Sequence, residues 1–304
     1  APGIPIYTKP TDVNTQGAPR GTIKQVYDQI NSDIDFAVAN LEDDRILKSN
    51  INRSVAYGLQ ARIALEQGQW AKAKEAARKA QEGYTLNAAQ YRTGFKNIDS
   101  AEWMWAFPNT ETDGQTLYYG VPNSFWAKSG DGYDNFYINE EFVKKFSETD
   151  VRNLFYRTES TNAQRRWATS KFGTSIDFNA AMPMMRVSEM ILIEAEAKAE
   201  LGEADAADVL FSLQKNRDPK AVKSVGTGKA LVDEILLERR KELYGELGIN
   251  FLDIKRRQLP LIRTGNHSAA FRFNFPANDQ RFILKLPQRE VDANDAIGPQ
   301  DQNE

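Results

Sequence analysis

Residues 54–80 read SVAYGLQARIALEQGQWAKAKEAARKA, and this stretch decides the fold class. A helix-forming run reaches Gly68, and an alanine-rich run opens at Trp70 and continues to Gly83. Glycine ends helices because it adopts the left-handed backbone conformation without steric cost, and small residues let two helices approach closely. The stretch therefore predicts an antiparallel helical hairpin of the tetratricopeptide kind, with Ser54 as the cap of its first helix.

The same pattern occurs a second time along the chain. At equal offsets, Ala61, Gly68 and Ala73 correspond to Ala195, Gly202 and Ala207. Helices are predicted over Met185–Leu201 and 203–215. Two copies favour a helical-repeat architecture, and an unrelated helical hairpin is the alternative.

Outside the hairpins, apolar spacing and capping residues predict three further helices: Thr22 to about residue 42, Ala230–Leu247 and Asn250–Arg257. Residues 1–21 are rich in Pro, Gly and Thr and are expected to form a peripheral extended segment. Phe271, Phe273 and Phe275 alternate as in a strand. We expect a mostly α fold, with tetratricopeptide-like helical hairpins, long irregular loops and a few short β-strands. A single domain is expected over 1–304, with a scaffold at 22–83 and 185–257, a loop-rich insertion at 84–180 and C-terminal loops at 258–304.

The insertion differs from the scaffold in composition. Residues 102–107 alternate as a short strand, which would put Trp103 and Trp105 on one face, and packing is the favoured role for both. Residues 108–137 form a long stretch rich in Gly, Asn, Thr and Asp that also carries many aromatic residues. Long irregular loops are costly to order and are usually functional. We therefore expect a ligand site in this stretch.

Sugar rings present weakly polar C–H faces that stack on aromatic side chains, and their hydroxyls bind amides and carboxylates. On that basis the candidate ligand-binding residues are Tyr118, Tyr119, Trp126, Asp131, Tyr133 and Asn135. The alternative, equally weighted for the four aromatic residues, is that they anchor the loop by packing. Asp131 to Asn135 could supply oxygen ligands to calcium, but the stretch lacks the EF-hand pattern and its closing Glu, so a solvated turn is favoured and no metal site is predicted.

Composition excludes several kinds of site. The 304 residues contain no Cys and one His, His267, so thiolate catalysis, iron–sulfur clusters and His-pair zinc sites are excluded. A net charge of −3 provides no basic face for nucleic acid. No phosphate-binding glycine loop or nucleophile elbow is present, and we expect no cofactor. Glu140 and Glu141 are expected to open a helix, and the charged run 238–242 to form a salt-bridged surface.

Several stretches, taken in order, resemble the SusD/RagB family of outer-membrane nutrient-binding lipoproteins. They are MMRVSEMILIEAEA at 184–197, EILLERRKEL at 234–243, NFLDIKR at 250–256 and LPQREVDAN at 286–294. Each motif alone is weak, and the ordered set is specific.

The resemblance implies a tetratricopeptide-based fold and non-catalytic capture of nutrient, above all oligosaccharide, at the cell surface. It implies delivery to a TonB-dependent SusC-like transporter and a lipid anchor on a cysteine that precedes this sequence. It also implies that the matched charged residues form ion pairs that hold the fold: Arg186, Glu189, Glu194, Glu238, Arg239, Arg240, Glu242, Asp253 and Arg256. A scaffold that binds only protein is the main alternative, and a glycosidase is a third.

Overall fold

The computed structural model describes residues 1–108, 126, 136–173 and 180–303, apart from the side chain of Gln90. Its α-helices are α1 Ile23–Asn40, α2 Arg53–Glu66, α3 Trp70–Ala80, α4 Ala88–Tyr91, α5 Glu140–Val143, α6 Val187–Glu200, α7 Ala206–Arg217, α8 Gly228–Leu243, α9 Ile249–Arg256 and α10 Gln288–Ala293. Its strands are β1 Trp103–Phe107, β2 Phe155–Arg157, β3 Trp167–Thr169 and β4 Met182–Arg186. Short 3-10 turns lie at Ala163–Arg165, Ala269–Phe271, Gln280–Phe282 and Pro299–Asp301.

The two predicted hairpins are present and pack on each other. Gly68 and Gly202 end the first helix of each hairpin with φ of +65° and +72°, in the left-handed region that favours glycine. Ala61, Ala73 and Ala195 are fully buried at the helix crossings, where a larger side chain would separate the helices. Helix α3 packs on α6, which joins the hairpins into one repeat scaffold. The mostly helical, tetratricopeptide-like fold is confirmed.

Helix α6 is the central element of this scaffold. It contacts α2, α3, α7 and α8, so apolar residues are needed on every face. Met190, Leu192 and Ile193 are fully buried. Strand β4 runs directly into α6 and pairs antiparallel with β1, which attaches the insertion to the centre of the scaffold.

The residue that caps α2 differs from the prediction, because the predicted cap makes a hydrogen bond to the neighbouring helix α3 instead. Asn52, not Ser54, caps α2 by accepting a hydrogen bond from the Val55 amide at 3.1 Å. Ser54 lies inside the helix, and its hydroxyl donates to the Ala80 carbonyl at the end of α3. The capping box at Thr22 is confirmed, and so is the helix opened by Glu140 and Glu141, which Asn139 caps.

One predicted strand is absent, and in the strand that is confirmed, β1, one predicted side-chain arrangement is wrong. Phe271 ends a 3-10 turn, and Phe275 makes only an isolated bridge to Leu261, so residues 271–275 form no strand. Trp103 and Trp105 do not share a face, because the β1–β4 register shifts between them. Trp103 is 3% exposed and packs with Tyr91, whereas Trp105 packs against the main helical core, so the packing role predicted for both is confirmed.

A cluster of buried charges lies where α7 and α8 meet the insertion. At its centre the Glu242 carboxylate, which is 0% exposed, contacts three guanidinium groups. Arg152 lies 3.1 Å away, Arg186 2.8 Å and Arg217 2.9 Å. Because Arg152 precedes β2, Arg186 ends β4 and Arg217 ends α7, one carboxylate ties three separate segments to α8.

Other carboxylates extend this cluster through paired hydrogen bonds. Arg217 donates to both oxygens of Glu102 at 2.8 and 2.7 Å, and Arg186 to both oxygens of Glu246 at 2.8 and 2.9 Å. Such bidentate pairs are the strongest ion pairs in proteins. The buried charge cluster comprises Glu102, Asp150, Glu238, Glu242, Glu246, Arg152, Lys171, Arg186, Arg217 and Lys241.

The cluster is neutral as a whole, with five acidic and five basic members. A buried charge is tolerated only when it is paired and hydrogen-bonded. Burial alone would raise the pKa of Glu242, but Arg217, Arg186 and Arg152 hold it well below its ordinary value. Aromatic rings cover the cations: Lys171 lies 4.3 Å from the centre of the Tyr244 ring, Arg186 5.0 Å from that of Phe95 and Arg217 4.9 Å from that of Tyr91.

The prediction that the run 238–242 forms a salt-bridged surface is wrong. Glu238, Arg239 and Glu242 are buried at 4%, 2% and 0% exposure, because these turns of α8 face the scaffold interior. Arg239 pairs with Asp253, which also binds Arg256. Among the described residues the remaining arginine of the run, Arg240, forms no ion pair and lies over the Phe142 ring at 4.9 Å.

None of the helices in the described part of the chain combines the length and the apolar character that crossing a membrane would require.

Replacing Glu242 with Gln should destabilise the protein by about 3–5 kcal/mol, because three buried guanidinium groups lose the anion that they share. The free energy of unfolding in urea at pH 7 measures this. The matched control is Asp28→Asn, which breaks an exposed i,i+4 pair with Lys24 at 2.7 Å and should cost less than about 0.5 kcal/mol. Equal losses in the two variants would contradict a structural role for the cluster.

Candidate functional site

Most of the ligand residues predicted from the sequence lie outside the described residues. These are Tyr118, Tyr119, Asp131, Tyr133 and Asn135. The sixth, Trp126, is half-buried. Its ring stacks on Phe172, with centroids 6.0 Å apart and planes at 27°, and lies 5.3 Å from Phe136 and 6.5 Å from Tyr244. Trp126 therefore packs against the aromatic core beside the buried charge cluster, and its contact with a ligand stays a prediction.

The segments that flank the undescribed residues attach to one side of the scaffold. Residue 108 follows β1, and the amide of Ile138 donates to the Trp167 carbonyl of β3 at 2.8 Å. Gly173 donates to the Gly94 carbonyl at 2.8 Å, and a Cβ on Gly94 would lie only 3.0 Å from the Gly173 backbone. This close approach requires small residues and fixes the position of Gly173. We call this side, which carries β1, β2 and β3, the insertion face.

A cleft of about 450 Å³ opens at the ends of α2 and α3. Its lining residues are Asp43, Asn52, Ser54, Tyr57, Lys79, Glu82, Gly83 and Tyr84. We call it the tyrosine cleft. It combines two half-buried phenol rings with an amine, two carboxylates, an amide and a hydroxyl, a composition typical of a wet recognition surface.

The hairpin geometry places the two sides of the cleft. Tyr57 and Lys79 each lie eleven residues from Gly68, so an antiparallel hairpin turning at that glycine puts them opposite each other. The Lys79 amine lies 5.2 Å from the centre of the Tyr57 ring. The sequence prediction treated Tyr57 as scaffold and missed it, although this symmetry about the turn could have revealed the pair.

The loop between α1 and α2 forms the next wall. Arg45 donates to the Tyr84 hydroxyl at 3.1 Å and to the Met104 carbonyl of β1. The Asn52 side-chain amide donates to the Asp43 carbonyl at 2.7 Å. The cleft is therefore connected to β1 by fixed contacts.

Strand β1 carries further aromatic surface beside this wall. The indole N–H of Trp105 donates to the Ser49 carbonyl at 3.1 Å, and the Trp105 and Phe107 rings lie 5.7 Å apart. Phe107 is 39% exposed and immediately precedes Pro108, the first residue of the predicted ligand segment. Trp105 and Phe107 thus form an aromatic surface on β1.

Further aromatic side chains lie on the β2–β3 hairpin and in the segment before α5: Tyr156 is exposed, and Trp167 and Tyr137 are half-buried. The Arg157 guanidinium lies 5.5 Å from the centre of the Trp167 ring, and that of Arg165 lies 5.9 Å from the Tyr137 ring. Tyr156 is 40% exposed. Guanidinium groups over aromatic rings keep those rings oriented at a wet surface.

Little in the described part of the chain supports catalysis or metal binding. No group of three or more His, Asp or Glu there has the geometry to hold a metal ion. The exposed His267 imidazole makes no hydrogen bond to a described serine or carboxylate. Partial desolvation, together with Arg263 and Arg272, lowers the pKa of His267.

Lys171 anchors the chain just before residues 174–179. Its ammonium donates to Glu246 at 2.6 Å and to the carbonyls of Glu242 and Tyr244 at 3.1 and 2.8 Å. Complete burial lowers the pKa of Lys171 to about 8, although the Glu246 carboxylate opposes the shift.

Two family models match the chain. One, described as the SusD family, matches residues 59–303, and the other, described as starch-binding and associating with the outer membrane, matches residues 2–65. None of the curated proteins matches the chain by sequence.

Solved structures resemble the chain over nearly its whole length. A SusD-like carbohydrate-binding protein from Bacteroides vulgatus is 26% identical, with a TM-score of 0.87 over 99% of this chain and 71% of that one. A SusD superfamily protein from Bacteroides thetaiotaomicron is 27% identical, with a TM-score of 0.86 over 100% of this chain and 71% of that one. Surface glycan-binding protein A from Bacteroides uniformis, at 19% identity, shares the fold, with a TM-score of 0.75 over 99% and 72%.

Trp126→Ala should lower the free energy of unfolding by about 2–3 kcal/mol, because a half-buried indole loses its contacts with Phe172, Phe136 and Tyr244. Thermal unfolding followed by circular dichroism checks this. Trp126→Phe, which keeps a ring in the same position, is the control and should recover more than half of the loss. An unchanged melting temperature in Trp126→Ala would contradict the packing described here.

Lys171 predicts an unusual pH dependence of stability. Its folded pKa of about 8 lies below the ordinary lysine value of 10.5, so between these values the unfolded chain binds more protons than the folded one. Stability from this group therefore rises with pH in that window, by roughly 3 kcal/mol in total. The free energy of unfolding is measured in urea at pH 7.5, 8.5 and 9.5. Its slope against pH should be more positive for wild type than for Lys171→Met. Parallel slopes would show that Lys171 titrates normally.

Proposed function

The chain belongs to the SusD family, and we propose that it captures a nutrient glycan at the outer surface of the outer membrane. In this proposal it holds an oligosaccharide without cleaving it and delivers it to a TonB-dependent SusC-like transporter. Two observations support this: similarity to a carbohydrate-binding protein over nearly the whole chain, and the tyrosine cleft, which Arg45 connects to β1.

The proposed glycan surface combines the tyrosine cleft with the loop residues predicted from the sequence. Tyr57 and Tyr84 would stack sugar faces, and Lys79, Asp43 and Glu82 would bind hydroxyls. The loop contribution would come from Tyr118, Tyr119, Trp126, Asp131, Tyr133 and Asn135. Because Tyr57 and Tyr84 are half-buried, their rings lose little side-chain freedom on binding, which favours stacking.

Capture without cleavage is consistent with the acids of the cleft. Asp43 and Glu82 are both exposed, whereas the general acid of a glycosidase is usually kept protonated by an apolar environment. Incubation of the protein with a retained oligosaccharide, followed by chromatography of the sugar, tests this. The proposal expects the sugar to be recovered intact, and protein-dependent shortening would overturn it.

Delivery requires a stable association with the transporter at the membrane. A lipid anchor joined to a preceding segment would hold the protein there, and the partner would be a SusC-like barrel. Affinity purification of the tagged, full-length protein from solubilised outer membranes should recover that barrel. Recovery of the tagged protein alone, under conditions that preserve other membrane complexes, would contradict delivery through such a partner.

Tyr57→Ala and Tyr84→Ala should each weaken oligosaccharide binding roughly tenfold. Without the ring, on the order of 50 Å² of apolar surface is no longer buried in the complex, which weakens the free energy of binding by about 1.3 kcal/mol. Tyr57→Phe and Tyr84→Phe keep the ring and should bind within about twofold of wild type. Affinity electrophoresis in gels containing soluble polysaccharides measures all four.

The loop prediction has its own test in the same assay. Tyr119→Ala should weaken binding without changing the melting temperature, and Phe271→Ala, at an exposed aromatic residue of the C-terminal loops, is the matched control and should change neither. Wild-type affinity in every aromatic variant of the cleft and the loop would overturn the site. Failure of wild type to bind any glycan of a broad array would overturn the function itself.

A further inference from the structure

A second cavity, of about 270 Å³, lies at the other end of α2. The first turn of α2 borders the tyrosine cleft, whereas Arg62, Glu66 and their neighbours on the last turns line this cavity. The positions of Tyr57 and Glu66 differ by nine residues, or about 14 Å of helix. We call it the α1–α2–α9 cavity. Its walls are mainly apolar and include Ile30, Ile63, Leu65, Leu247, Ile249 and Leu252.

Two guanidinium groups in the cavity lining keep an N–H group without a partner among the described residues. The half-buried Arg62 uses Nε and Nη2 on Glu189, at 2.8 and 2.6 Å, and Nη2 also on the Met184 carbonyl, which leaves its Nη1 free for a ligand. Arg239 uses Nε and Nη2 on Asp253, and its Nη1 is buried without a partner in the described part of the chain. Buried donors are normally satisfied, so the spare Arg239 donor beside an apolar cavity indicates a missing acceptor.

The charges of the lining restrict what that acceptor can be. Arg62 and Glu189 neutralise each other, as do Arg239 and Asp253, which leaves the exposed Glu66 carboxylate in excess. An anion would be repelled by Glu66, and a cation would leave the spare donors without an acceptor. A hydroxyl satisfies both groups, because it accepts from a guanidinium N–H and donates to a carboxylate.

The mouth and the volume of the cavity suit a small ring. Burial, and then the neighbouring Glu66 carboxylate, raises the pKa of the Tyr27 phenol, so these two polar groups lie together at the mouth. A cavity of about 150 Å³ accommodates benzene, so this one has room for a substituted ring. Leu247 has a φ of +45°, and such strained residues often occur at ligand sites.

We propose that the α1–α2–α9 cavity binds a small neutral molecule composed of an apolar ring and a hydroxyl group, such as a phenol or an alicyclic alcohol. This site is separate from the proposed glycan surface and does not depend on it.

Four probes of similar size separate the contributions of shape and charge. Phenol, benzoate, benzylammonium and toluene are titrated into the full chain, and binding is followed by saturation-transfer NMR. Phenol should bind with a Kd on the order of 1 mM and at least fivefold more tightly than the other three. Equal binding of toluene, tighter binding of either ion, or no phenol signal at about 10 mM would overturn the proposal.

Two variants locate the phenol site. Leu252, 46% exposed at the cavity lip, is changed to Trp to fill the space, and Leu201→Trp, at a residue 42% exposed outside the cavity, is the control. Leu252→Trp should weaken phenol binding at least fivefold, with Leu201→Trp unchanged. Glu66→Ala tests the polar contact at an exposed position and should weaken phenol but not toluene. Wild-type phenol affinity in both Leu252→Trp and Glu66→Ala would overturn the assignment, whereas oligosaccharide binding should be unchanged in all three variants.

Discussion

The rest of the structure depends on the pairing of ten charges that are almost wholly removed from water. Each member of the buried charge cluster would be strongly destabilising by itself, because the interior solvates an isolated ion poorly. The cluster is stable only when the turn before β1, strand β4, the loop before β2, and helices α7 and α8 are all in place, since each supplies a charge that the others need. This requirement joins the repeat scaffold to the insertion. It makes α8, which carries Glu238, Glu242 and Lys241, the element from which the insertion is positioned.

The cluster is covered by a layer of aromatic rings. Tyr91, Phe95, Phe172 and Tyr244 lie over its cations, and Trp126 packs on Phe172 and Tyr244. Trp126, one of the residues proposed to bind glycan, thus lies on rings that contact the buried charges. The tyrosine cleft is held differently, by the symmetry of the α2–α3 hairpin and by Arg45, which links the loop before α2 to β1. Two independent parts of the scaffold therefore hold Trp126 and the tyrosine cleft.

Local patterns in the sequence predict the helical scaffold well, because its determinants are local. Gly68 and Gly202 occupy turns that need a left-handed backbone, and the buried alanines of the two hairpins allow their helices to cross closely. The charged run 238–242 was misassigned to the surface because its partners, such as Arg152 and Arg217, are distant in sequence and invisible to helical periodicity. Trp103 and Trp105 were misassigned to one face because a register shift depends on the partner strand β4. The residues proposed for the ligand loop carry no family motif, so the sequence indicates their chemistry and not their geometry.

The central claim is that paired buried charges join the insertion to the scaffold, and a double-mutant cycle tests it most directly. Arg152 belongs to the insertion and Glu242 to α8, with 3.1 Å between guanidinium nitrogen and carboxylate oxygen. The free energy of unfolding is measured for four proteins: wild type, Arg152→Met, Glu242→Leu and the double variant. Their differences give the coupling free energy between the two side chains. We predict a coupling of at least about 1.5 kcal/mol, with the double variant more stable than the sum of the single losses implies. Additive losses, within about 0.3 kcal/mol, would show that the two segments are held together by other contacts.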